Sequence, residues 1–281
     1  MLYIMPEWFW LLVVFIFGLV IGSFLNVVAY RMHTGKSLNG YSHCESCGHR
    51  LKWYELFPVV SYLFQLGHCR SCGAYINIRS SLVELATAGV FLLAWWHSVG
   101  LVEFFLLTSL LSVLLVGIVY DLVHMIIPDE VSIMIGIVSL CLLINNTSSF
   151  DKTFWMSLLA AVLVSGLLAL MWQVSSGTWL GLGDAKLAFG LTLAVSYSGA
   201  FTFLVLSFWI GALVGLIIIF IQKLGKFWPK KIPRVIGRHV KMGSEIPFAP
   251  FLALSFLLVY FYSVDVLSIT SYAISLLYVS L

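Results

Sequence analysis

Two stretches of the chain place aspartates at the edges of apolar segments. The first runs Asp121-Leu-Val-His-Met-Ile-Ile-Pro-Asp129, and the second runs Gly181-Leu-Gly-Asp184-Ala-Lys186-Leu. Acidic side chains beside membrane segments are energetically costly and usually functional. If Asp121 and Asp184 meet, one carboxylate can act as general base on water while the other, holding a proton, polarises a peptide carbonyl. The pattern therefore indicates peptide hydrolysis by a pair of aspartates.

Each of these acids also has a simpler structural interpretation. Asp184 precedes an apolar run, where a carboxylate can cap a helix and is favoured by the helix dipole. Asp129 follows Pro128, which indicates a turn, so capping of the next helix is the default interpretation for Asp129. Gly181 and Gly183 permit close approach of another chain segment. On the residues alone, capping and catalysis both remain open for Asp184.

Four cysteines form two Cys-x-x-Cys pairs, Cys44 with Cys47 and Cys69 with Cys72, and a glycine follows each pair. Two such turns provide the four thiolates of a tetrahedral zinc site, which is structural because it has no open position. Two disulfides are the alternative, but the reducing cytoplasm, where charge places this segment, disfavours them. The fifth cysteine, Cys141, lies in an apolar run and is expected to be a small buried hydrophobic residue.

The elements that position these residues follow from composition and charge. Of the 281 residues 61% are hydrophobic and 10% are charged, whereas soluble domains carry about 25% charged residues. This composition predicts an all-α polytopic membrane protein, with about eight transmembrane helices. Of the 15 Lys and Arg residues, six lie between Arg31 and Arg79 and seven lie between Lys223 and Lys241. Both basic clusters are therefore predicted to be cytoplasmic.

Because both clusters lie on the same side of the membrane, an even number of spans must separate them. The run Leu187–Ile221 is too long for one span, and a break near Ser196–Gly199 divides it into two, which makes the number even. The predicted organisation is a first transmembrane helix at 1–30, a cytoplasmic zinc domain at 31–80 and a helical protease core at 81–281. The core includes a basic cytoplasmic loop at 223–245, which is expected to contact anionic lipid. The tail Val266–Leu281 is either a ninth span or an interfacial helix. No nucleic-acid partner is expected.

Taken together, the motifs resemble those of type IV prepilin peptidases, which are membrane aspartyl proteases with a Gly-x-Gly-Asp motif. The resemblance rests on the run at 181–187, on Asp121 with Pro128-Asp129, on Gly22-Ser-Phe-Leu-Asn-Val-Val-Ala-Tyr-Arg31, on the two cysteine pairs and on Ile246-Pro-Phe-Ala-Pro-Phe251. It implies that Asp121 and Asp184 are the catalytic pair. The residues that would support the catalytic motif are Gly181, Gly183, Lys186 and Asp129.

The resemblance also implies a reaction and a location. Members of this family are multi-pass proteins of the bacterial inner membrane with an active site at the cytoplasmic face. They cut the basic leader from type IV prepilins or type II secretion pseudopilins, and many then methylate the new N-terminal residue with S-adenosylmethionine. Members with this second activity usually carry the cysteine-rich domain, so methyltransferase activity is implied for this chain as well.

Glu84 lies near the predicted cytoplasmic start of the second helix. The simpler interpretation is a first-turn carboxylate favoured by the helix dipole, and the functional one is contact with the substrate's basic leader or its new amino group. Two other classes of protein compete with the enzyme. A transporter also uses intramembrane carboxylates and broken helices, but it should show internally related halves, which this sequence lacks. A zinc-stabilised scaffold would tolerate loss of either aspartate.

Overall fold

The structure of the protein is a computed structural model that describes residues 6–34, 40–44, 46–147, 150–225 and 247–266, with side chains up to 221 in the fourth range. The helices are α1 (Glu7–Arg31), α2 (Val60–Phe64), α3 (Arg79–His97), α4 (Leu101–His124), α5 (Asp129–Asn146), α6 (Lys152–Val174), α7 (Leu182–Gly225) and α8 (Ala249–Tyr262). A 3-10 helix covers Trp53–Leu56. Within the described ranges β-structure is confined to two isolated bridges, so the all-α prediction is confirmed.

Five helices, α1, α4, α5, α6 and α7, are long and apolar enough to cross a membrane. The chain is therefore a multi-pass membrane protein. The predicted number of eight spans is not confirmed, because α8 has 14 residues and α3 is absent from the five. The basic loop predicted at 223–245 lies outside the described residues apart from the helical backbone of 223–225, and the tail lies outside them after Val266.

The longest helix, α7, is interrupted where the sequence predicts a break. Its 44 residues would extend over about 66 Å as one straight helix, roughly twice the thickness of a bilayer. Ser196 has non-helical dihedral angles (φ 70°, ψ 171°) that interrupt it. The hydroxyl group of Ser157 in α6 accepts a hydrogen bond from the N–H of Tyr197 at 3.2 Å and bonds to the Ser196 hydroxyl at 2.8 Å. A buried serine of a neighbouring helix thus satisfies a backbone donor at the break.

The chain forms two compact units, Met1–Tyr120 and Asp121–Leu281. The division into segments 1–30, 31–80 and 81–281 stays a prediction. In the first unit, α1 packs against α3. A Cβ atom on Gly18 would lie 2.7 Å from the Ala88 Cα atom, and one on Gly22 would lie 2.8 Å from the Glu84 Cα atom. The glycines therefore let the two helices approach closely, as small residues do in membranes.

In the second unit, α7 packs against α5, α6 and α8. Close packing of α5 on α7 depends on Gly190, where a Cβ atom would lie 2.7 Å from a methyl group of Ile135. The outward face of α5 carries Cys141, which is exposed. The prediction of a buried Cys141 is therefore wrong: a small apolar side chain on a membrane helix can face lipid as readily as protein.

Candidate active site

Asp121 lies in the last turn of α4 and is the first residue of the second unit. Its side chain is buried, with 4% exposed. The backbone N–H of Ala249, the first residue of α8, donates a hydrogen bond to the carboxyl group. The Oδ2 atom is buried and has no hydrogen-bond partner among the described residues. A buried oxygen of this kind is costly unless a further polar group binds to it.

Asp184 is the third residue of α7 and is also buried, with 8% exposed. Its Oδ2 atom accepts a hydrogen bond from the backbone N–H of Gly181, just before the helix, at 3.1 Å. The interpretation of Asp184 as the N-cap is therefore wrong, because the helix already begins at Leu182. The carboxylate reaches back to the chain that enters the helix, which fixes its rotamer.

Gly183 brings the start of α7 against the segment that follows Asp121. A Cβ atom at this position would lie 3.0 Å from the Cβ atom of Ile127 and 3.4 Å from its carbonyl oxygen. Ile127 is buried, so neither side of the contact has free space. Sequence reasoning identified Gly183 but missed Ile127 and Ala249. The only sequence feature that points to Ile127 is that it lies between Asp121 and Pro128. Nothing in the sequence indicates that the N–H of Ala249 would meet Asp121.

The carboxyl groups of Asp121 and Asp184 lie close enough for their charges to interact. Both are largely withdrawn from solvent. Two like charges in such a site cannot both ionise easily, so the pair is expected to hold one shared proton and to titrate as a unit. The structure thus brings together the two aspartates that the sequence singles out.

Lys186 and Asp129 form an ion pair at the same end of the unit. The Nζ atom of Lys186 lies 2.6 Å from Oδ1 of Asp129, and the side chains are 43% and 63% exposed. Asp129 begins α5, but the N-cap position is Pro128 and no side chain caps the helix. The prediction that Asp129 caps α5 is therefore wrong, because its carboxylate is engaged by a lysine from α7. The ion pair joins the first turns of α5 and α7.

Glu84 lies in the first unit and has partners of its own. It is the sixth residue of α3, so its interpretation as a first-turn carboxylate is wrong. Its Oε2 atom accepts a hydrogen bond from the N–H of Val59 at 2.8 Å, and the Ser23 side chain of α1 also bonds to it. Val59 has a φ of 60°, which is strained for a β-branched residue. Glu84 thus ties the turn before α2 to α1 and α3.

The two Cys-x-x-Cys segments fold into matching turns. The N–H of Gly48 donates to the carbonyl of Cys44 at 2.9 Å, and the N–H of Gly73 donates to the carbonyl of Cys69 at 2.8 Å. Gly48 has a φ of 70° and Gly73 a φ of 68°, values that glycine adopts without strain. This explains why a glycine follows each cysteine pair. An isolated β-bridge closes each turn.

All four sulfur atoms lie within 4.8 Å of one another, and none is in a disulfide. The sulfur atoms of Cys44 and Cys72 are 3.9 Å apart, close to the spacing of about 3.8 Å that a tetrahedron with metal–sulfur bonds of about 2.3 Å requires. The backbone N–H groups of Cys47 and then Ser46 lower the pKa of the Cys44 thiol to about 6, which favours the thiolate. The four cysteines can therefore bind one metal ion.

Comparison with known proteins agrees with this arrangement of motifs. The chain matches the bacterial peptidase A24 N-terminal domain over residues 16–98 and the type IV leader peptidase family over residues 108–216. Over 261 residues it is 32% identical to the prepilin leader peptidase/N-methyltransferase of Bacillus subtilis strain 168, covering 91% of this chain and 96% of the relative.

Proteins of the same name from Pseudomonas putida and Dichelobacter nodosus are also similar. The first is 30% identical over 275 residues, covering 85% of this chain and 86% of the relative. The second is 26% identical over 285 residues, covering 89% and 91%. No solved structure matches the chain. On the Bacillus and Pseudomonas similarities, which span most of both chains, this protein belongs to the type IV leader peptidase family.

Proposed function

We propose that this protein is a membrane aspartic endopeptidase that removes the basic leader from type IV prepilins or type II secretion pseudopilins and methylates the new N-terminal residue. The observation that carries the proposal is the pair of buried, interacting carboxyl groups of Asp121 and Asp184. Relatives that share most of the chain are named prepilin leader peptidase/N-methyltransferase, which supports both activities.

In the proposed hydrolysis the aspartate pair shares one proton. The ionised carboxylate takes a proton from a water molecule as the water oxygen bonds to the scissile carbonyl carbon, while the protonated carboxyl group donates a hydrogen bond to the carbonyl oxygen. The resulting tetrahedral intermediate loses the amine when its C–N bond breaks and a carboxyl group returns a proton to the nitrogen. The products are the leader's carboxylate and the new amino terminus. Because the pair titrates as a unit, both roles belong to the pair.

Four further residues support the pair in this proposal. The N–H of Gly181 orients Asp184, and Gly183 allows α7 to contact Ile127. Lys186 holds Asp129, which connects the first turns of α5 and α7. Each of these contacts fixes the start of α7, and the start of α7 carries Asp184. The four residues thus act by positioning a catalytic group and not by touching the scissile bond.

We further propose that the enzyme lies in the bacterial inner membrane with its active site at the cytoplasmic face. The concentration of 13 of the 15 Lys and Arg residues in two segments, 31–79 and 223–241, supports this orientation. Cytoplasmic basic segments also attract anionic lipid head groups, the partner proposed for the second segment. The substrate leader is basic as well, so the same segment is poorly suited to bind it.

The metal proposed for the four cysteines is Zn²⁺. A tetrahedral four-thiolate set is typical of structural zinc, and a small domain gains stability from such an ion. The N–H of Ala74 lowers the pKa of the Cys72 thiol, but hydrogen bonding with Cys47, Cys69 and Cys44 raises it to about 12. All four thiols therefore ionise together only when a cation offsets their mutual repulsion. Zinc would fix the relative positions of the two turns and takes no part in hydrolysis.

The methyl donor proposed for the second activity is S-adenosylmethionine. Two cavities in the described residues do not fit this molecule. The larger, among α5, α6 and α7, is lined by apolar and small side chains apart from one ion pair. The smaller, beside Trp95 and Phe104, has no charged side chain in its lining. An adenine and an amino-acid head group need more polar partners than either cavity provides, so no step of methyl transfer is assigned to them.

For Glu84, the contacts with Val59 and Ser23 support a positioning role. The side chain is 7% exposed, and both of these hydrogen-bond partners lie within the first unit. Contact of Glu84 with the substrate's leader or its new amino group stays a prediction. Glu84→Gln separates the two possibilities, because glutamine keeps an acceptor for Val59 and loses the charge that would attract a cationic substrate group.

The proposed activities are tested with purified wild-type protein in lipid vesicles and a purified type IV prepilin. Mass spectrometry of the product would show loss of the leader and, after addition of S-adenosylmethionine, one added methyl group on the new N-terminal residue. Asp184→Asn in equal amount serves as the inactive control. Failure of the wild type to cleave prepilins from several pilus and secretion systems would contradict the peptidase proposal.

A further inference from the structure

A groove of about 720 Å³ runs along the second unit among α5, α6 and α7. Large apolar side chains line most of its length, and they include Ile133, Ile137, Leu140, Leu158, Val162 and Phe189. The lining residues extend from Asp129 to Leu140 on α5 and from Leu182 to Leu193 on α7, which is eleven residue-to-residue steps on each helix. At 1.5 Å per residue this is a length of about 16 Å, or three helical turns.

Glycine and alanine residues line part of the groove. Gly136 on α5 and Gly166 on α6 both line it, and a Cβ atom added to either would meet no atom within 4 Å. A side chain at these positions would thus project into open groove. Ala169 and Ala185 are small as well. Small residues in a membrane segment allow the backbone of another helix to approach closely.

Three of the four polar residues that line the groove gather at the end that holds the aspartate pair, and the fourth, Ser165, lies further along α6. Asp129, Ser132 and Lys186 line this end, and Lys186 is separated by a single residue from Asp184. Ser132 is buried, with 5% exposed, and its hydroxyl group has no hydrogen-bond partner among the described residues.

Among the described residues at this end of the unit, acidic side chains outnumber lysine and arginine. Asp121, Asp129 and Asp184 belong to the ends of α4, α5 and α7, whereas Lys186 is the one Lys or Arg in the described parts of these ends, and His124 ends α4. With one proton shared by the aspartate pair, the three aspartates and Lys186 together keep a small net negative charge. This end is therefore suited to the basic side of an incoming chain, and the apolar groove beyond it is suited to a helix without charge.

We propose that this groove binds the apolar helix that follows the scissile bond of the precursor, with the basic leader extending past the acidic end. The inference rests on the proposed leader peptidase function and specifies how its substrate is held. A single chain that is basic, then cleavable, then apolar matches the order of features along the groove, from the carboxyl groups to the apolar floor. The binding energy comes from packing along about three turns, away from the reacting atoms.

Photo-crosslinking tests the proposal directly. A benzophenone amino acid is introduced at Ile137 or Val162, which line the groove and are 58% and 52% exposed. The matched controls are Met134 and Leu163 on the same two helices, which are 51% and 63% exposed but do not line the groove. All four variants carry Asp184→Asn, so that a full-length type IV prepilin with its leader and apolar helix stays uncut.

The expected result is a crosslink from positions 137 and 162 to the precursor's apolar helix, at least about tenfold above positions 134 and 163. Equal yields at all four positions, or yields from 137 and 162 confined to phospholipid, would overturn the proposal. Parallel cleavage of the same prepilin by the wild type keeps the two inferences separate. Cleavage without selective crosslinking would contradict the groove proposal and leave the peptidase proposal intact. Absence of cleavage would contradict the peptidase proposal itself.

Filling the groove gives a second, functional test. Gly136→Leu and Gly166→Leu should raise KM for the prepilin by about tenfold or more, because the packing of at least one large apolar side chain is lost. The control is Gly89→Leu in α3, where an added Cβ atom also meets no atom within 4 Å but which lies in the other unit. An unchanged KM in both groove variants, at normal abundance in the membrane, would contradict the proposal.

Discussion

Replacing Gly183 by alanine is expected to slow leader cleavage by about a hundredfold while leaving the protein's abundance in the membrane nearly unchanged. The new Cβ atom would lie 3.0 Å from the Cβ atom of Ile127, whereas carbon atoms pack best at about 3.5–4.0 Å. One side of the contact must therefore move by roughly 0.5–1 Å. Ile127 is 6% exposed and cannot retreat into open space, so the start of α7 is expected to move.

That movement affects activity more than stability. Asp184 follows Gly183 directly, and a displacement of about 1 Å in a catalytic group costs about a factor of 100 in rate. Overpacking destabilises a protein by about 1–3 kcal/mol. Alanine recovers about 0.5–1 kcal/mol relative to glycine within a helix. The net loss of stability is therefore modest, and Gly183→Val should be more severe because it adds bulk at the same contact.

The assay is the initial rate of leader removal from a purified prepilin by equal amounts of each variant in lipid vesicles. Gly89→Ala is the matched control, because its added Cβ atom meets no atom within 4 Å, and it should cleave at the wild-type rate. If Gly183→Ala cleaves as fast as the wild type, the contact with Ile127 does not determine the position of Asp184 and the reasoning is refuted.

Other contacts give smaller or different effects. For the exposed Lys186–Asp129 pair, a double-mutant cycle of thermal unfolding with Lys186→Met and Asp129→Asn should give a coupling energy of about 0.2–1 kcal/mol, and a value above about 3 kcal/mol would be inconsistent with an exposed pair. Replacing Cys69 by serine should lower the zinc content, measured by elemental analysis, from one ion per chain to a small fraction; full zinc retention would exclude the four-cysteine site. Glu84→Leu should destabilise the protein by about 1–3 kcal/mol because the N–H of Val59 loses its partner, whereas Glu84→Gln should remain near wild-type stability.

Much of the fold could be predicted because membrane helices are defined by simple quantities. Composition indicated a bundle of membrane helices with a first helix at 1–30, and the polar residues near Ser196 indicated the break in α7. The number of helices that cross the membrane could not be obtained in the same way, because α8 is too short to be classified by length alone. The exposure of Cys141 was missed because an apolar sequence does not distinguish a side chain that faces lipid from one that faces protein.

The candidate site was predictable in its titratable residues and unpredictable in its partners. Aspartates next to apolar segments are costly enough to stand out in a sequence, and this led to Asp121 and Asp184. The N–H of Ala249 and the side chain of Ile127 carry no such signal, since any residue has a backbone N–H and apolar side chains are abundant here. From the local sequence, capping of α5 was the better interpretation of Asp129. In the structure the Asp129 carboxylate instead forms an ion pair with Lys186, a residue remote in sequence.

The most direct test of the central claim is leader cleavage by four forms of the protein, namely the wild type, Asp121→Asn, Asp184→Asn and Asp129→Asn. Each is brought to equal abundance in the membrane with the same co-expressed prepilin, and leader loss is scored on a gel. Both buried acids should be essential, whereas loss of the exposed Asp129 carboxylate should leave most of the activity. Cleavage by either Asp121→Asn or Asp184→Asn at a rate near that of the wild type would contradict catalysis by this pair.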